Sequence, residues 1–332
     1  MTLKGLWQNP VTLILVFLLV ISIRFNRNIF LVDRGLYDAA YYISNVEYFR
    51  SDRISAELAA PFNERLLVCF AAAGLPFDPM TSINLVNVLF LLAAVYFLYK
   101  TMLIFEISED LLWSGLYIFV FSFPTFYYAT IGYVDSGVLL MIFFGNYGIW
   151  KNNPWVFLIA VVLGTLAKEG IIIIVPVALA YGYSSRKLRW YLFGIAGLLL
   201  YLLIWGAVKH YMPKTHGNTP VLYWMPNNWR IIANLSRFSF YFSSLFSFGI
   251  PGILLVYLFI KNKSEVLKDM RTDLPLLAGF AGGFGLWIYG IFSAYADGRF
   301  FWISACFPIL LSLRWVKRYG FDEFCKPAEQ PL

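Results

Sequence analysis

Long apolar runs separated by short clusters of Lys and Arg dominate this sequence and leave it few ways to fold. Val11 to Ile23, Ile83 to Tyr99, Tyr191 to Val208 and Phe240 to Ile260 approach or reach the roughly 20 residues that a helix needs to cross a bilayer. Backbone groups in lipid must be satisfied within their own segment, so these runs read as helices and not as edge strands. Composition agrees: 60% of the 332 residues are hydrophobic and 14% charged, against roughly 25% charged in soluble domains, and mean hydropathy is +0.68. The expected fold is all-α, a polytopic integral membrane bundle of about ten transmembrane helices forming one transmembrane domain over 1–332.

The net charge of +7 is not a nucleic-acid signal, because Lys and Arg form no continuous basic face. They mark loops. Cytoplasmic loops carry excess Lys and Arg, and four clusters agree on one orientation: Lys151; Arg186, Lys187 and Arg189; Lys261, Lys263, Lys268 and Arg271; Arg314, Lys317 and Arg318. Spans then fall near 11–24, 83–104, 110–126, 135–150, 154–167, 170–184, 190–208, 239–260, 274–295 and 299–313, with both termini cytoplasmic. The location expected is a bacterial or archaeal cytoplasmic membrane. Lys4 and the apolar stretch after it imitate a signal peptide, but no small-residue cleavage site follows, so the first span is expected to be retained.

Two long segments, 25–82 and 209–238, are left on the outer face. The first holds an apolar piece, Leu66 to Leu75, bounded by Arg65 and by Pro76 and Pro79 and too short to span; it reads as an outer juxtamembrane helix. An eleventh crossing there would invert the later clusters. Tyr223, Trp224 and Trp229 in the second segment fit an interfacial aromatic belt.

Charge at membrane depth is costly, so each ionisable group in or against a span is a functional candidate. On this topology such groups collect outside: Asp38, Glu47, Asn63, Glu64 and Arg65 in the first outer segment, Asp135 at the outer start of a span, Lys168 and Glu169 at an outer turn, Asp297 and Arg299 at another. Asp38, among Leu36, Tyr37, Tyr41 and Tyr42, is either a solvated loop acid or cap, or a carboxylate that takes a proton from a hydroxyl or binds a divalent cation. Asp135 is either the N-cap of its span or a contact to metal or substrate. Lys168 and Glu169 fit a polar hairpin turn, yet a lone outer Lys breaks the charge bias, and an anionic partner such as phosphate would account for it. Arg299 has the same peculiarity, tempered by a local pair with Asp297, and its planar fork suits phosphate oxygens.

Other signals are weak. Cys69, Cys306 and Cys325 lie far apart without a C-x-x-C spacing and read as core or tail thiols. His210 and His216 read as surface histidines. Asn234-Leu235-Ser236 matches the glycosylation acceptor pattern, which is common by chance. Walker-type, G-x-G-x-x-G, G-x-S-x-G and H-E-x-x-H patterns are absent, which argues against an ATPase, a dinucleotide enzyme, a lipase-type hydrolase and a zinc protease.

Taken in order, five segments resemble the GT-C superfamily of membrane glycosyltransferases over about residues 36 to 312. Tyr37-Asp38-Ala39-Ala40-Tyr41-Tyr42 is similar to that family's acidic first outer loop. Ala60-Pro61-Phe62-Asn63-Glu64-Arg65-Leu66-Leu67 resembles its proline-led entry into a juxtamembrane helix. Pro124 followed by Asp135 is similar to its second acid, and Leu163-Gly164-Thr165-Leu166-Ala167-Lys168-Glu169-Gly170 with Pro176 to its Lys-Gly turn. Gly298-Arg299-Phe300-Phe301 with Pro308 resembles its late Arg-aromatic segment. The sequence departs from the family in having one acid at Asp38 where many members have two, in having no room for an extra outer domain, and in reading Lys-Glu-Gly at the turn.

The resemblance implies transfer of a sugar from a polyprenyl-phosphate donor to a hydroxyl of a glycan, lipid or protein acceptor at the outer face, by an inverting route. Asp38 would be the general base. Lys168 and Arg299, with Arg65, would hold the donor phosphate; Asp135, Glu64 and Glu169 would orient the acceptor or a metal. A divalent cation, Mg or Mn, on Asp38 and Asp135 stays open. The rival functions are a lipid-linked sugar flippase or transporter, and a polysaccharide polymerase or ligase. Expected partners are the donor, the acceptor and membrane lipids, with no nucleic acid.

Overall fold

The computed structural model of the protein describes residues 3–26, 38–51, 58–213, 228–293 and 297–320, and every regular element among them is helical. In chain order these are α1 (Leu3–Trp7), α2 (Pro10–Ser22), α3 (Ala39–Ser51), α4 (Leu66–Ala73), α5 (Pro79–Ile104), α6 (Glu109–Val120), α7 (Phe123–Tyr128) and α8 (Asp135–Trp150). Then follow α9 (Pro154–Ala167), α10 (Ile174–Ser185), α11 (Leu188–Tyr211), α12 (Asn228–Leu235), α13 (Phe238–Lys261), α14 (Lys263–Ser293), α15 (Arg299–Trp302) and α16 (Cys306–Tyr319), with tight 3-10 turns at Phe62–Glu64 and Glu169–Ile173. Of these, α5, α11, α13 and α14 are long and apolar enough to cross a membrane; α2, α9 and the stretch Glu169–Ser185 are apolar but shorter.

Three helices start the same way, for a local reason. Asn9-Pro10, Asp78-Pro79 and Asn153-Pro154 each place an Asn or Asp at the cap and Pro in the first turn, where its missing N–H costs nothing. Asn9 Oδ1 accepts from Val11 N at 2.8 Å, Asp78 Oδ1 from Thr81 N at 3.0 Å, and Asn153 Oδ1 from Trp155 N at 3.1 Å. Burial raises the Asp78 carboxyl, but the hydrogen bonds it accepts from the Thr81 side chain and from the first turn's backbone together outweigh this and leave it below its ordinary value.

At the centre lies α8, apolar all round and buried along nearly its whole length, as a helix enclosed by others must be. α5, α9 and α10 pack around it. At the periphery α11 and α13 turn most of their Leu, Ile, Phe and Tyr side chains outward, with Leu203 69% and Ile260 72% exposed. Contiguous exposed apolar faces of this extent are what a bilayer covers.

The structure alters several expectations. The span expected at 110–126 is two helices, because the chain breaks at Phe121-Ser122 and Pro124 opens a new turn. Arg299 and the rest of 299–313 do not form one helix either: α15 and α16 are separated by a turn at 303–305. The stretch expected as a span from 170 begins as the 3-10 turn. Asn234 is fully buried and its Nδ2 donates to Ile291 O at 2.9 Å, so the acceptor-like tripeptide is a packing element. Within 25–82 the sequence reading missed α3, while the helix expected from Leu66 is present as α4, with Val68, Cys69 and Ala72 buried and Phe70 exposed. Leu36, Tyr37, His216, Tyr223, Trp224 and Cys325 lie outside the described residues.

Candidate functional site

Six of the seven residues to which the resemblance gives a role meet at one end of the bundle, as three ion pairs joined across long sequence separations. Arg299 Nη1 donates to Asp38 Oδ2 at 3.1 Å, while its Nε donates to Asp297 Oδ2 at 3.0 Å. Lys168 Nζ pairs with Asp135 Oδ1. Arg65 Nη2 donates to Glu169 Oε1 at 2.8 Å, and Arg65 Nη1 donates to the Tyr42 hydroxyl. The three pairs form one electrostatic unit, since Asp135 feels Arg299 and Arg65 as well as Lys168. Glu64, the seventh residue, closes the 3-10 turn that delivers Arg65.

Each side chain is aimed by an element boundary. Asp38 immediately precedes α3, and Tyr42, one turn on, comes back over it to reach Arg65. Lys168 ends α9 in extended conformation, which turns its side chain off the helix axis toward the start of α8. Asp135 is the first residue of α8, but Val134 occupies the cap position and the Asp135 carboxylate goes to Lys168; the capping role is not what it does. Asp297 Oδ1 accepts from Arg299 N at 2.9 Å, which fixes the turn that presents the guanidinium.

Two asparagines that the sequence reading passed over hold the loop before Asp135. Asn84 Oδ1 accepts from Gly132 N at 2.8 Å and its Nδ2 donates to Asn26 Oδ1 at 2.6 Å; Asn87 Nδ2 donates to Tyr133 O at 2.6 Å and its Oδ1 accepts from Ser136 Oγ. Gly132 has φ +82, and a Cβ there would meet Met80 Sδ at 2.6 Å and Ala39 Cβ at 2.9 Å. The Asn84-x-x-Asn87 spacing inside an apolar run was a readable signal, because buried amides at helical spacing in a long apolar helix need partners.

The pairs differ in exposure. Asp135 (3%) and Arg65 (6%) are sealed, whereas Asp38 (31%), Asp297 (25%) and Glu169 (40%) reach the surface. Burial pushes the Tyr42 hydroxyl well above its ordinary value; Arg65 opposes this, and Asp38 and Asp135 add to it, so Tyr42 stays a neutral phenol. Burial raises the Glu169 carboxyl, but Arg65 and Lys168 beside it more than offset this and leave it below its ordinary value. Arg299 also lies over the Tyr133 ring, 4.5 Å from its centroid, and over Tyr128 at 5.7 Å.

Chemically, the cluster offers partly exposed carboxylates on guanidinium groups, Asp38 and Asp297 on Arg299 and Glu169 on Arg65, with Lys168 as a further cation. Asp38 and Asp135, the two carboxylates that a divalent ion would use, are each paired with a separate protein cation, Arg299 and Lys168. Comparison of the chain with family models, with curated proteins and with solved structures gave no match.

Proposed function

We propose that this chain is a multi-pass membrane glycosyltransferase that moves a sugar from a polyprenyl-phosphate carrier to an acceptor hydroxyl at the outer face of a cytoplasmic membrane. About ten crossings with both termini cytoplasmic put all three ion pairs on that face. The single observation carrying this reading is the Asp38–Arg299 pair, a base and an anion-binding group 261 residues apart in sequence and in direct contact. Helices α8 and α9, with 16 and 14 residues, reach only about 24 and 21 Å and fall short of the ~30 Å hydrocarbon layer. At least one end of each therefore lies inside the bilayer boundary, and in this reading it is the charged end, where a lipid-borne phosphate reaches it.

In this reading the donor phosphate competes with Asp38 for Arg299. Transfer of Arg299 Nη1 to the phosphate vacates Asp38 Oδ2, which then accepts the proton of the acceptor hydroxyl. The acceptor oxygen then bonds to the anomeric carbon as the carbon–oxygen bond to phosphate breaks, inverting that centre. The electron pair stays on the phosphate, whose added negative charge Arg299 and Lys168 stabilise. No proton need be given to this leaving group, so no second carboxylic acid is required. Asp135 orients Lys168, and Arg65, engaged by Glu169 and Tyr42, positions the Lys168–Glu169 turn.

Purified protein incubated with radiolabelled polyprenyl-phosphate sugars and extracted lipid acceptors tests this, wild type beside Asp38→Asn. Transfer by wild type alone is expected. Donor binding without transfer would replace the enzyme with a flippase, and normal turnover by Asp38→Asn would remove Asp38 from the reaction.

A further inference from the structure

A further guanidinium stands at the same end of the bundle, outside the ion-pair cluster. Arg24, just past the end of α2, is half-buried and lies over the Tyr127 ring, 4.1 Å from its centroid. Its Nε is buried and makes no hydrogen bond, and among the described residues no carboxylate pairs with it. The neighbouring ring, Tyr128, centred 4.9 Å from that of Tyr127, carries Arg299 on its own face. Helix α7 thus separates one satisfied arginine, in the site, from one unsatisfied arginine beside it.

The Tyr127 ring that Arg24 covers is the start of an aromatic wall. Phe123 stacks on Tyr127 at 5.2 Å and meets Phe242 and Phe246 of α13 at 5.7 and 6.2 Å. Phe242 is 40% and Phe246 49% exposed, so the wall continues onto the outward face of α13. A cation with no counter-charge among the described residues, at the lip of an aromatic face that a bilayer covers, complements a ligand with one anionic group and a long hydrocarbon tail. A free anion would gain nothing from the wall, and a neutral lipid nothing from the guanidinium.

We infer that Arg24 and the wall of Phe123, Phe242 and Phe246 form the portal for an isoprenoid phosphate, with Arg24 on the phosphate and the tail along α7 and α13. This rests on the transferase reading and extends it: the carrier docks on Arg24 and passes across Tyr127 and Tyr128 to Arg299. Arg24 is a binding residue here and takes no part in bond breaking.

Equilibrium binding of radiolabelled farnesyl phosphate to the purified full chain in detergent tests the portal without requiring turnover. Expected are saturable binding by wild type and by Asp38→Asn, a loss of about tenfold in Arg24→Gln, and a smaller loss in Phe242→Ala and Phe246→Ala, which change exposed side chains and leave the bundle intact. Farnesol and millimolar inorganic phosphate are expected not to compete. Unchanged binding in Arg24→Gln, or in both Phe variants should Arg24→Gln not fold, overturns the inference. So does displacement by inorganic phosphate, which would mark a free-anion site, and so does absence of binding by wild type. Binding that depends on Arg24 in a protein with no sugar transfer would keep the portal and remove the transferase.

Discussion

Both ends of the bundle contain carboxylates paired with arginine, and they are built differently. At one end Asp273 of α14 is 1% exposed and is held by Arg314 Nη2 at 3.0 Å, Arg318 Nη1 at 2.8 Å and Trp315 Nε1 at 2.9 Å, all within two turns of α16. Arg314 also lies over the Phe105 ring at 4.5 Å, and Lys317 Nζ donates to the carbonyls of Phe105 and Glu106 at 3.2 and 2.7 Å. At the other end, about 30 Å away along α14 at 1.5 Å per residue, the pairs are assembled from separate helix ends, and three of their acids reach the surface. A sealed carboxylate whose partners all come from one helix is a fastening. Carboxylates brought from distant segments and left partly open are groups that can exchange partners.

The sharpest way to break this contrast is to remove one acid from each end. Asp273→Asn leaves two arginines facing a neutral amide in the interior; the expected loss is about 3–5 kcal/mol, read as a large drop in Tm in detergent, with activity falling because the protein does not hold together. Asp38→Asn should do the reverse, cutting sugar transfer about 10²- to 10⁴-fold while Tm hardly moves, as expected for a partly exposed pair. Equal destabilisation by the two substitutions would erase the distinction.

Gly298→Ala sharpens the contrast from the backbone side. A Cβ there would lie 1.8 Å from Ser247 Oγ and 2.4 Å from Ser243 O, so the turn presenting Arg299 must shift. A cost of about 1–3 kcal/mol is expected, with transfer reduced more than donor binding. Ser247→Ala in the same chain should restore only part of it, because the Ser243 carbonyl remains.

The smallest effect concerns acid. The Glu169 carboxyl sits below its unfolded value, so its contribution is fully present above about pH 4.3, the ordinary Glu value, and is lost as pH falls through the depressed folded value. Glu169 is 40% exposed, which limits the pair to about 1 kcal/mol or less after solvent screening. Glu169→Gln should lower Tm slightly near neutrality and flatten the acid limb of a Tm-against-pH curve; an acid limb equal to wild type would assign that loss to other groups.

Much of this arrangement was legible before any coordinates. The caps Asn9-Pro10, Asp78-Pro79 and Asn153-Pro154 were readable signals that the sequence reading did not use, and it began the span after Asp78-Pro79 near 83; a cap bond and a proline act within one turn, and they start that helix at Pro79. The all-helical character and the four long apolar helices follow from runs of side chains that water will not hold. Asp38, Arg65, Asp135, Lys168, Glu169 and Arg299 stood out because charge beside an apolar run demands a reason. Which cation faces which acid was not legible: Asp38 meets Arg299 and Arg65 meets Glu169 across 261 and 104 residues, and nothing local encodes either choice. Nor were the break at Phe121-Ser122, the helix Ala39–Ser51, or the use of Asn84 and Asn87 to hold the Asp135 loop. Hydropathy and capping are properties of neighbours along the chain and are read from it directly; ion pairing and loop anchorage are decided by which helices pack side by side, and only the packed bundle settles that.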